Sequence, residues 1–140
     1  MRGKTNLIKI IKIPEIFDDC CLYFAQTKDH IPFSIKRVYY ITKAVTKYPR
    51  GFHAHYKNRQ VLFCIQGNLE MVLDNGKRKE KIILNKPNEG LLIDRLIWHE
   101  MHGFKKDTIL LVLSSAVFDP KDYIRDYQKF LKIANGKKAS

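Results

Sequence analysis

Short β-type segments recur every eight to twelve residues along most of this 140-residue chain. Segments of that length and spacing, bounded by turn residues, are typical of a β-sandwich or β-barrel. Two turns support the pattern, because Asn75-Gly76 lies between alternating segments and Gly67-Asn68 is a turn of similar kind. The predicted strands are residues 7–13, 21–25, 35–42, 60–66, 69–73, 80–84, 90–93 and 108–114.

Only the end of the chain has a helical pattern. Asp119 is a candidate N-cap, and Pro120 suits the first helical position. An apolar stripe with helical spacing follows, and its members are Tyr123, Ile124, Tyr127, Phe130 and Leu131. Residues 135–140 are expected to fray. The sequence therefore predicts an all-β barrel with a C-terminal helix.

The composition indicates one domain, residues 1–140, because there is no internal repeat, linker or low-complexity tract. No apolar run approaches the roughly 18 to 20 residues that span a bilayer, so no membrane segment is expected. The three cysteines, Cys20, Cys21 and Cys64, form no C-x-x-C pair and no even framework. A reduced, cytoplasmic protein is the simplest interpretation.

The formal charge of +12 raises the hypothesis of a nucleic-acid partner. The lysines are scattered, however, and the densest cluster, residues 77–81, lies beside a predicted hairpin turn without a nucleic-acid-binding motif. A solvated surface that favours anionic ligands is the preferred interpretation, and no nucleic-acid partner is predicted.

Two histidines, His53 and His55, are two residues apart in an Arg-Gly-Phe-His-Ala-His run. Side chains at that spacing on an extended backbone point to the same face, so both rings would share one pocket. Histidine has the side chain whose ordinary pKa lies nearest neutrality, so the pair can carry a proton, bind a metal, or do both.

The spacing from His53 to Gly67 matches the pattern of small β-barrels that hold a metal, the cupins, and His99 falls where their later histidine belongs. Gln60, however, stands where such barrels have a carboxylate. A neutral amide is a poor ligand for a hard divalent cation, so the pattern favours proton transfer. Binding of a metal by three imidazoles stays as an alternative, because histidine readily ligates zinc.

Arg37 and Tyr39 lie on one face of the predicted strand 35–42, because side chains alternate along a strand. If that face is internal, both side chains need polar partners, which a bound anionic ligand would supply. Arg50 and Gln60 can reach the same pocket if the strands pair as predicted. The other interpretation of Arg37 is a salt bridge on an outward face.

Four runs together resemble the sugar 3,4-ketoisomerases that act on dTDP-4-keto-6-deoxyglucose. They are residues 31–41, residues 49–55 with Gln60, residues 98–102 and residues 122–125. The resemblance extends from about residue 31 to residue 130, in order and with similar spacing. The first thirty residues match poorly, so no substrate contact is carried over from them.

This resemblance implies a cupin-type jelly-roll barrel that moves a keto group from C4 to C3 of a dTDP-linked sugar through an enediolate. It implies catalysis without a metal or organic cofactor, and a homodimer whose N-terminal strands are exchanged between subunits. It also implies a pathway in which an aminotransferase converts the product into a 3-amino-3,6-dideoxyhexose for a surface glycan.

The resemblance further implies roles for individual residues. His53 is assigned as the base at carbon and His55 as the group that moves the oxygen proton or orients the sugar, although the two could be exchanged. The substrate-binding residues are predicted to be Arg37 and Arg50 at the diphosphate, Tyr39 at a sugar oxygen, and Gln60 and His99 in the same pocket. No metal ligand is assigned.

Three other functions stay open from the sequence: a metal-dependent cupin oxygenase or isomerase, a non-catalytic sugar-sensing or nucleic-acid-binding barrel, and a dTDP-sugar 3,5-epimerase. The Arg-Gly-Phe-His-Ala-His run favours the ketoisomerase over the epimerase. The configuration at C4 of the product is not determined by the sequence.

Overall fold

The computed structural model describes residues 7–136, and within them the chain is mostly β-structure. The strands are β1 Ile10–Lys12, β2 Glu15–Phe17, β3 Cys21–Tyr23, β4 Arg37–Ile41, β5 Arg50–His55, β6 Gln60–Gln66, β7 Leu69–Asp74, β8 Lys79–Leu84, β9 Glu89–Ile93, β10 Trp98–His102, β11 Ile109–Ser114 and β12 Tyr123–Ile124. A 3-10 turn spans Pro120–Asp122, and helix α1 spans Tyr127–Ala134.

Ten of these strands form two five-stranded antiparallel sheets. The first has the order β1-β9-β6-β11-β4 and the second the order β12-β5-β10-β7-β8, while β2 and β3 form a separate hairpin. The prediction of an all-β jelly roll with a C-terminal helix is confirmed. Within residues 7–136 the two sheets are separate hydrogen-bonded ladders, so the molecule is a double-sheet jelly roll and not one continuous closed barrel.

The main core lies between the two sheets, because the inward residues of both contribute to one cluster. Strand β6 illustrates the alternation: Leu62 and Cys64 face this core, whereas Val61 and Phe63 pack in a second cluster on the other face. Each fully buried aliphatic side chain contributes roughly 1.5 to 3 kcal/mol to folding. With both faces covered, β6 is a rigid base for the residue at its first position, Gln60.

The predicted helix begins later than its sequence pattern indicates. Asp119 and Pro120 do occupy the N-cap and first position, but of one 3-10 turn, after which β12 is extended and pairs with β5. Helix α1 begins at Tyr127, with Asp126 as N-cap accepting from the backbone of the first turn. The helix prediction was wrong for residues 123–126, because Tyr123 and Ile124 pair with β5 as a strand and the helix begins only after its N-cap, Asp126.

Helix α1 packs on the second sheet by burying Phe130 in a cluster with Ala54, Trp98 and Ile124. It is an eight-residue helix, and no helix within residues 7–136 has the length and apolar character needed to cross a membrane. Of the tail predicted to fray, residues 137–140 lie outside the described part of the chain.

Candidate active site

A glycine bulge in β5 interrupts its pairing with β10, the central strand of the second sheet. The pairing of β5 with β10 shifts register between His99 and Glu100, opposite Gly51. Gly51 has φ +92°, and a Cβ there would lie 2.9 Å from the His99 carbonyl oxygen. Glycine adopts this backbone region without steric cost, so the Arg-Gly pair of the motif has a structural reason.

Beyond the bulge the strands pair so that three imidazoles meet. His53 and His99 are direct cross-strand partners, with ring centroids 4.5 Å apart. The centroid of His55 lies 4.9 Å from that of His53 and 6.0 Å from that of His99. The two histidines of β5 therefore do lie together, as their i, i+2 spacing predicts.

Backbone carbonyls fix the tautomers of two of these rings. The Nδ1 of His53 lies 3.1 Å from the carbonyl oxygen of Gly51, and the Nδ1 of His99 lies 3.1 Å from that of Ile97. A carbonyl oxygen can only accept, so each Nδ1 carries the proton in the neutral ring. The lone pair of each ring is then on Nε2, which is the atom able to accept a proton.

The third ring, His55, has a carboxylate beside it. Asp122 Oδ2 lies 3.2 Å from His55 Nδ1. The two groups are not aligned for a hydrogen bond, and neither ring nitrogen of His55 has a hydrogen-bond partner within residues 7–136. Asp122 in turn accepts hydrogen bonds from the backbone N–H groups of Lys57 (2.8 Å) and Asn58 (3.1 Å). The position of the carboxylate is therefore fixed by the backbone that follows β5.

Burial keeps all three imidazoles neutral at pH 7. Burial and the neighbouring His53 lower the pKa of His55 to about 4, against the opposite effect of Asp122. Burial and the adjacent histidines lower the pKa of His99 to about 3. The pKa of His53 is lowered as well, mainly by burial and secondarily by Arg125. A neutral imidazole has the free lone pair that a base or a metal ligand needs.

A cavity of about 310 Å³ opens at this cluster, and its walls carry four of the predicted site residues, Arg37, Tyr39, Arg50 and His53. The other three predicted residues, His55, Gln60 and His99, are buried behind the wall, with exposed fractions of 3%, 1% and 1%. The predicted residues therefore form one site in two layers: four at the cavity surface and three supporting it.

The cavity has a cationic wall. Arg37 lies 5.4 Å from the centre of the Tyr39 ring, and its Nε is buried without a hydrogen-bond partner among residues 7–136. Arg50 lines the same wall. Within residues 7–136 neither Arg37 nor Arg50 forms a salt bridge, so the outward salt bridge considered for Arg37 is not present. Unpaired guanidinium groups facing a cavity favour an anionic ligand.

Sequence reasoning missed two residues of the site, Tyr123 and Asp122. Tyr123 lines the cavity and lies 4.9 Å from His53 and 4.5 Å from His55, ring centre to ring centre. Both residues are in the run 122–125, which carries part of the family resemblance. That resemblance was the sequence signal that could have identified them as site residues. Their contacts with β5 are far apart in sequence, and no spacing rule could have placed them.

The three histidines are also the residues around the cavity that could hold a metal ion, because their ligand atoms lie within 4.8 Å of one another. Gln60, at the position of the expected carboxylate, offers no anionic oxygen, and its amide nitrogen donates to the Tyr39 hydroxyl. The donor set thus fits a three-imidazole zinc site and lacks the charge-neutralising ligand of a harder metal.

The fold and the site define a class: a double-sheet jelly-roll protein with neutral histidines at an arginine-lined cavity, suited to proton transfer on an anionic substrate. The model of the family described as FdtA, WxcM-like, C-terminal matches residues 4–135. The chain belongs to this family, and the relatives described below are sugar 3,4-ketoisomerases. The match begins well before residue 31, so it includes the N-terminal segment in which the sequence resemblance was poor.

Individual relatives agree with this assignment. The chain is 44% identical to the TDP-4-oxo-6-deoxy-alpha-D-glucose-3,4-oxoisomerase of Aneurinibacillus thermoaerophilus, over 89% of this chain and 90% of the relative. A 3,4-ketoisomerase from Helicobacter canadensis superposes with a TM-score of 0.88 at 41% identity, covering 91% of this chain and 97% of the other. QdtA from Thermoanaerobacterium thermosaccharolyticum, a 3,4-ketoisomerase solved as a histidine-to-asparagine variant with TDP-4-keto-6-deoxyglucose, superposes at 0.91, with 38% identity and coverage of 98% and 100%.

Proposed function

We propose that this protein is a sugar-nucleotide 3,4-ketoisomerase that moves the keto group of dTDP-4-keto-6-deoxyglucose from C4 to C3. The observation that carries the proposal is the neutral His53 in the wall of an arginine-lined cavity, with its Nδ1 proton bonded to the Gly51 carbonyl and no hydrogen-bond partner at Nε2 among residues 7–136. The named activities of the relatives supply the substrate class.

The carbon step needs a base that is unprotonated near neutral pH. His53 Nε2 takes the proton from C3, which the neighbouring C4 ketone acidifies, and an enediolate forms. Its assignment over His55 rests on position, because His53 lines the cavity whereas His55 is 3% exposed behind it. The imidazolium then returns a proton to C4, and the carbonyl forms at C3.

The oxygen step moves one proton from the C3 hydroxyl to the C4 oxygen. We assign it to His55, which does not line the cavity itself and acts through its ring contacts with His53 and Tyr123, both of which do. The nitrogens of His55 have no aligned hydrogen bond within residues 7–136. Asp122 stabilises the brief positive charge on that ring, because an opposite charge at 3.2 Å favours the protonated form. The Tyr39 hydroxyl, at the cavity wall, donates to the developing oxyanion.

The nucleotide end of the substrate is bound through charge. Arg37 and Arg50 line the wall that lacks a carboxylate among the described residues, and guanidinium groups pair bidentately with phosphate oxygens. The product, a 3-keto sugar nucleotide, has the carbonyl that an aminotransferase requires for making a 3-amino-3,6-dideoxyhexose.

The proposal is tested by incubating chelator-treated protein with dTDP-4-keto-6-deoxyglucose in deuterated water and reading the product by NMR. We expect a carbonyl at C3 and a single configuration at C4, with deuterium at C4 in the fraction of turnovers in which the imidazolium exchanges its proton with solvent before returning it. The same spectrum reports that configuration, which depends on the face from which the enediolate is reprotonated.

Three results would contradict the proposal in different ways. Deuterium at C5 with the carbonyl retained at C4 would indicate a 3,5-epimerase. Activity that disappears on chelation and returns with zinc would indicate the metal-dependent alternative. Binding of the nucleotide without any exchange at carbon would indicate a sugar-sensing protein.

We also propose that the protein is a homodimer that exchanges its N-terminal strands. The hairpin of β2 and β3 exposes a run of large apolar side chains, among them Ile16 (50%), Phe17 (74%) and Leu22 (53%). Ile16 and Leu22 are cross-strand partners on one face of the hairpin, and Phe17 lies on the other face. Large apolar side chains exposed on both faces are characteristic of an interaction site. A second copy of the chain is the partner that accounts for it in a cyclic dimer.

Light scattering should give twice the chain mass of 16.5 kDa. The double variant Phe17→Glu/Leu22→Glu is expected to give the single mass, because charges on the hairpin cannot be buried in an interface. Ile83→Glu, which alters an equally exposed side chain on β8, serves as the control and should leave the mass doubled. A wild-type protein of 16.5 kDa would rule out the dimer.

A further inference from the structure

Gln60 is a buried amide at the start of β6 whose two hydrogen bonds both come from its nitrogen. Its Nε2 lies 2.9 Å from the Tyr39 hydroxyl oxygen and 3.4 Å from the Ser114 hydroxyl oxygen. Gln60 and Ser114 are 1% and 0% exposed, so both side chains are closed off from bulk solvent. Gln60 Oε1 is also buried, without a partner in the part of the chain described.

The orientation of this amide follows from a count of donors and acceptors. In the orientation present in the structure, the two N–H groups of the amide each donate to a hydroxyl, and only the amide oxygen is left without a partner within residues 7–136. The flipped amide would accept from both hydroxyls and leave two buried N–H donors without partners. Buried N–H groups are orphaned less often in proteins than carbonyl oxygens, so the orientation with Nε2 toward Tyr39 is favoured.

This orientation determines what the Tyr39 hydroxyl can do. Its oxygen accepts from Gln60, so its own hydrogen cannot point to Gln60 and is available to the cavity that Tyr39 lines. Burial raises the pKa of Tyr39, which keeps the hydroxyl protonated near neutral pH. Tyr39 is thus a fixed donor rather than a base.

We propose that Gln60 is a positioning residue that holds the Tyr39 hydroxyl as a hydrogen-bond donor toward the sugar oxyanion. Gln60 itself does not line the cavity. The proposed positioning role therefore takes the place of the direct substrate contact predicted for Gln60 from the sequence. The inference is tested by two experiments, one kinetic and one spectroscopic. The kinetic experiment rests on the proposed ketoisomerase function, whereas the spectroscopic experiment requires no substrate.

The decisive variant is Gln60→Glu, which keeps the shape but can only accept when ionised. The carboxylate would take the Tyr39 hydrogen and withdraw it from the cavity. Gln60→Met is the second variant, in case a buried carboxylate prevents folding, and it leaves the hydroxyl without an orienting donor. Ser114→Ala is the matched control, because it removes the other partner of the amide and leaves the contact with Tyr39 intact.

In the kinetic arm, at a pH high enough to ionise the buried glutamate, we expect Gln60→Glu to lower kcat by roughly 10- to 100-fold, because a preorganised donor to an oxyanion is worth at least that much. In a Tyr39→Phe background the same substitution should have almost no further effect, since interacting residues are non-additive. Ser114→Ala should stay within about twofold of the wild type.

A pH profile separates positioning from damage to the fold. A buried glutamic acid becomes protonated as the pH falls and can then donate to Tyr39 as the amide does. We therefore expect the activity of Gln60→Glu, relative to the wild type at the same pH, to recover on acidification. Gln60→Met has no proton to gain and should show no such recovery.

The spectroscopic arm uses protein labelled at tyrosine Cζ, with the Tyr39 resonance assigned by its loss in Tyr39→Phe. Loss of the Gln60 donor should raise the pKa at which Tyr39 titrates in Gln60→Met and leave it unchanged in Ser114→Ala. The proposal would be overturned if Gln60→Met left the pKa of Tyr39 unchanged. It would also be overturned if Gln60→Glu lowered kcat by the same factor in the Tyr39→Phe background as in the wild type. Absence of turnover in the wild type would instead count against the ketoisomerase function, with the titration still deciding the role of Gln60.

Discussion

Replacing His53 with asparagine is expected to reduce ketoisomerase turnover by about 10³-fold or more, while binding of dTDP stays within a few-fold of the wild type. A general base typically contributes 10²- to 10⁴-fold, and here the same ring also returns the proton to carbon. Asparagine can still donate to the Gly51 carbonyl but has no basic lone pair to replace Nε2. Turnover is measured by NMR in deuterated water, and dTDP binding by calorimetry.

The control is His102→Asn, which removes another histidine from the same sheet. His102 is on β10, three positions beyond His99, where it contacts Glu100 at 2.9 Å and does not line the cavity. It should retain near-wild-type activity. Full activity of His53→Asn, or equal loss of dTDP binding and turnover, would remove His53 from the role of carbon base. Loss of turnover in His55→Asn with normal exchange at C3 would assign the oxygen step to His55.

The sequence predicted the two histidines on one face, yet neither β5 nor β10 was among its predicted strands. The reason lies in β5 itself: Gly51 and Phe52 both have positive φ, at +92° and +60°, so the strand begins with an irregularity that strand patterns do not contain. The i, i+2 rule holds for His53 and His55 because the bulge precedes them. Their cross-strand pairing with His99 required the register, which no local pattern specifies.

The arrangement of the site in two layers could likewise not be predicted from the sequence. Alternation placed Arg37 and Tyr39 together, and both do line the cavity. Gln60, however, meets Tyr39 across 21 positions and Asp122 meets the backbone after β5 across 64 and 65 positions. Such contacts follow from how the strands and the 3-10 turn pack. The sequence therefore indicated most residues of the site, although not Asp122 or Tyr123, and it did not indicate which residues line the cavity and which act through another residue.

The buried histidines should make the folded protein sensitive to acid. In the unfolded chain a histidine takes up a proton near pH 6.5, whereas folding lowers the pKa of His55 to about 4 and that of His99 to about 3. Between those values the unfolded state binds more protons, so stability is fully present above pH 6.5 and is lost as the pH falls. Each group contributes about 1.4 kcal/mol per pH unit, a large share of a typical stability of roughly 5 to 15 kcal/mol.

Urea unfolding from pH 7 to pH 4.5 measures this dependence, and it separates titration from simple weakening of the core. The variant His99→Gln is expected to show a shallower fall of the unfolding free energy with decreasing pH, because one of the buried imidazoles that take up protons on unfolding is gone. Val112→Ala, a truncation in the fully buried core, should lower the unfolding free energy by a similar amount at every pH and leave the slope unchanged. Parallel curves for wild type and His99→Gln would mean that His99 is not buried as a neutral ring. In that case the two-layered arrangement, with an uncharged imidazole supporting His53 from behind, would have to be abandoned.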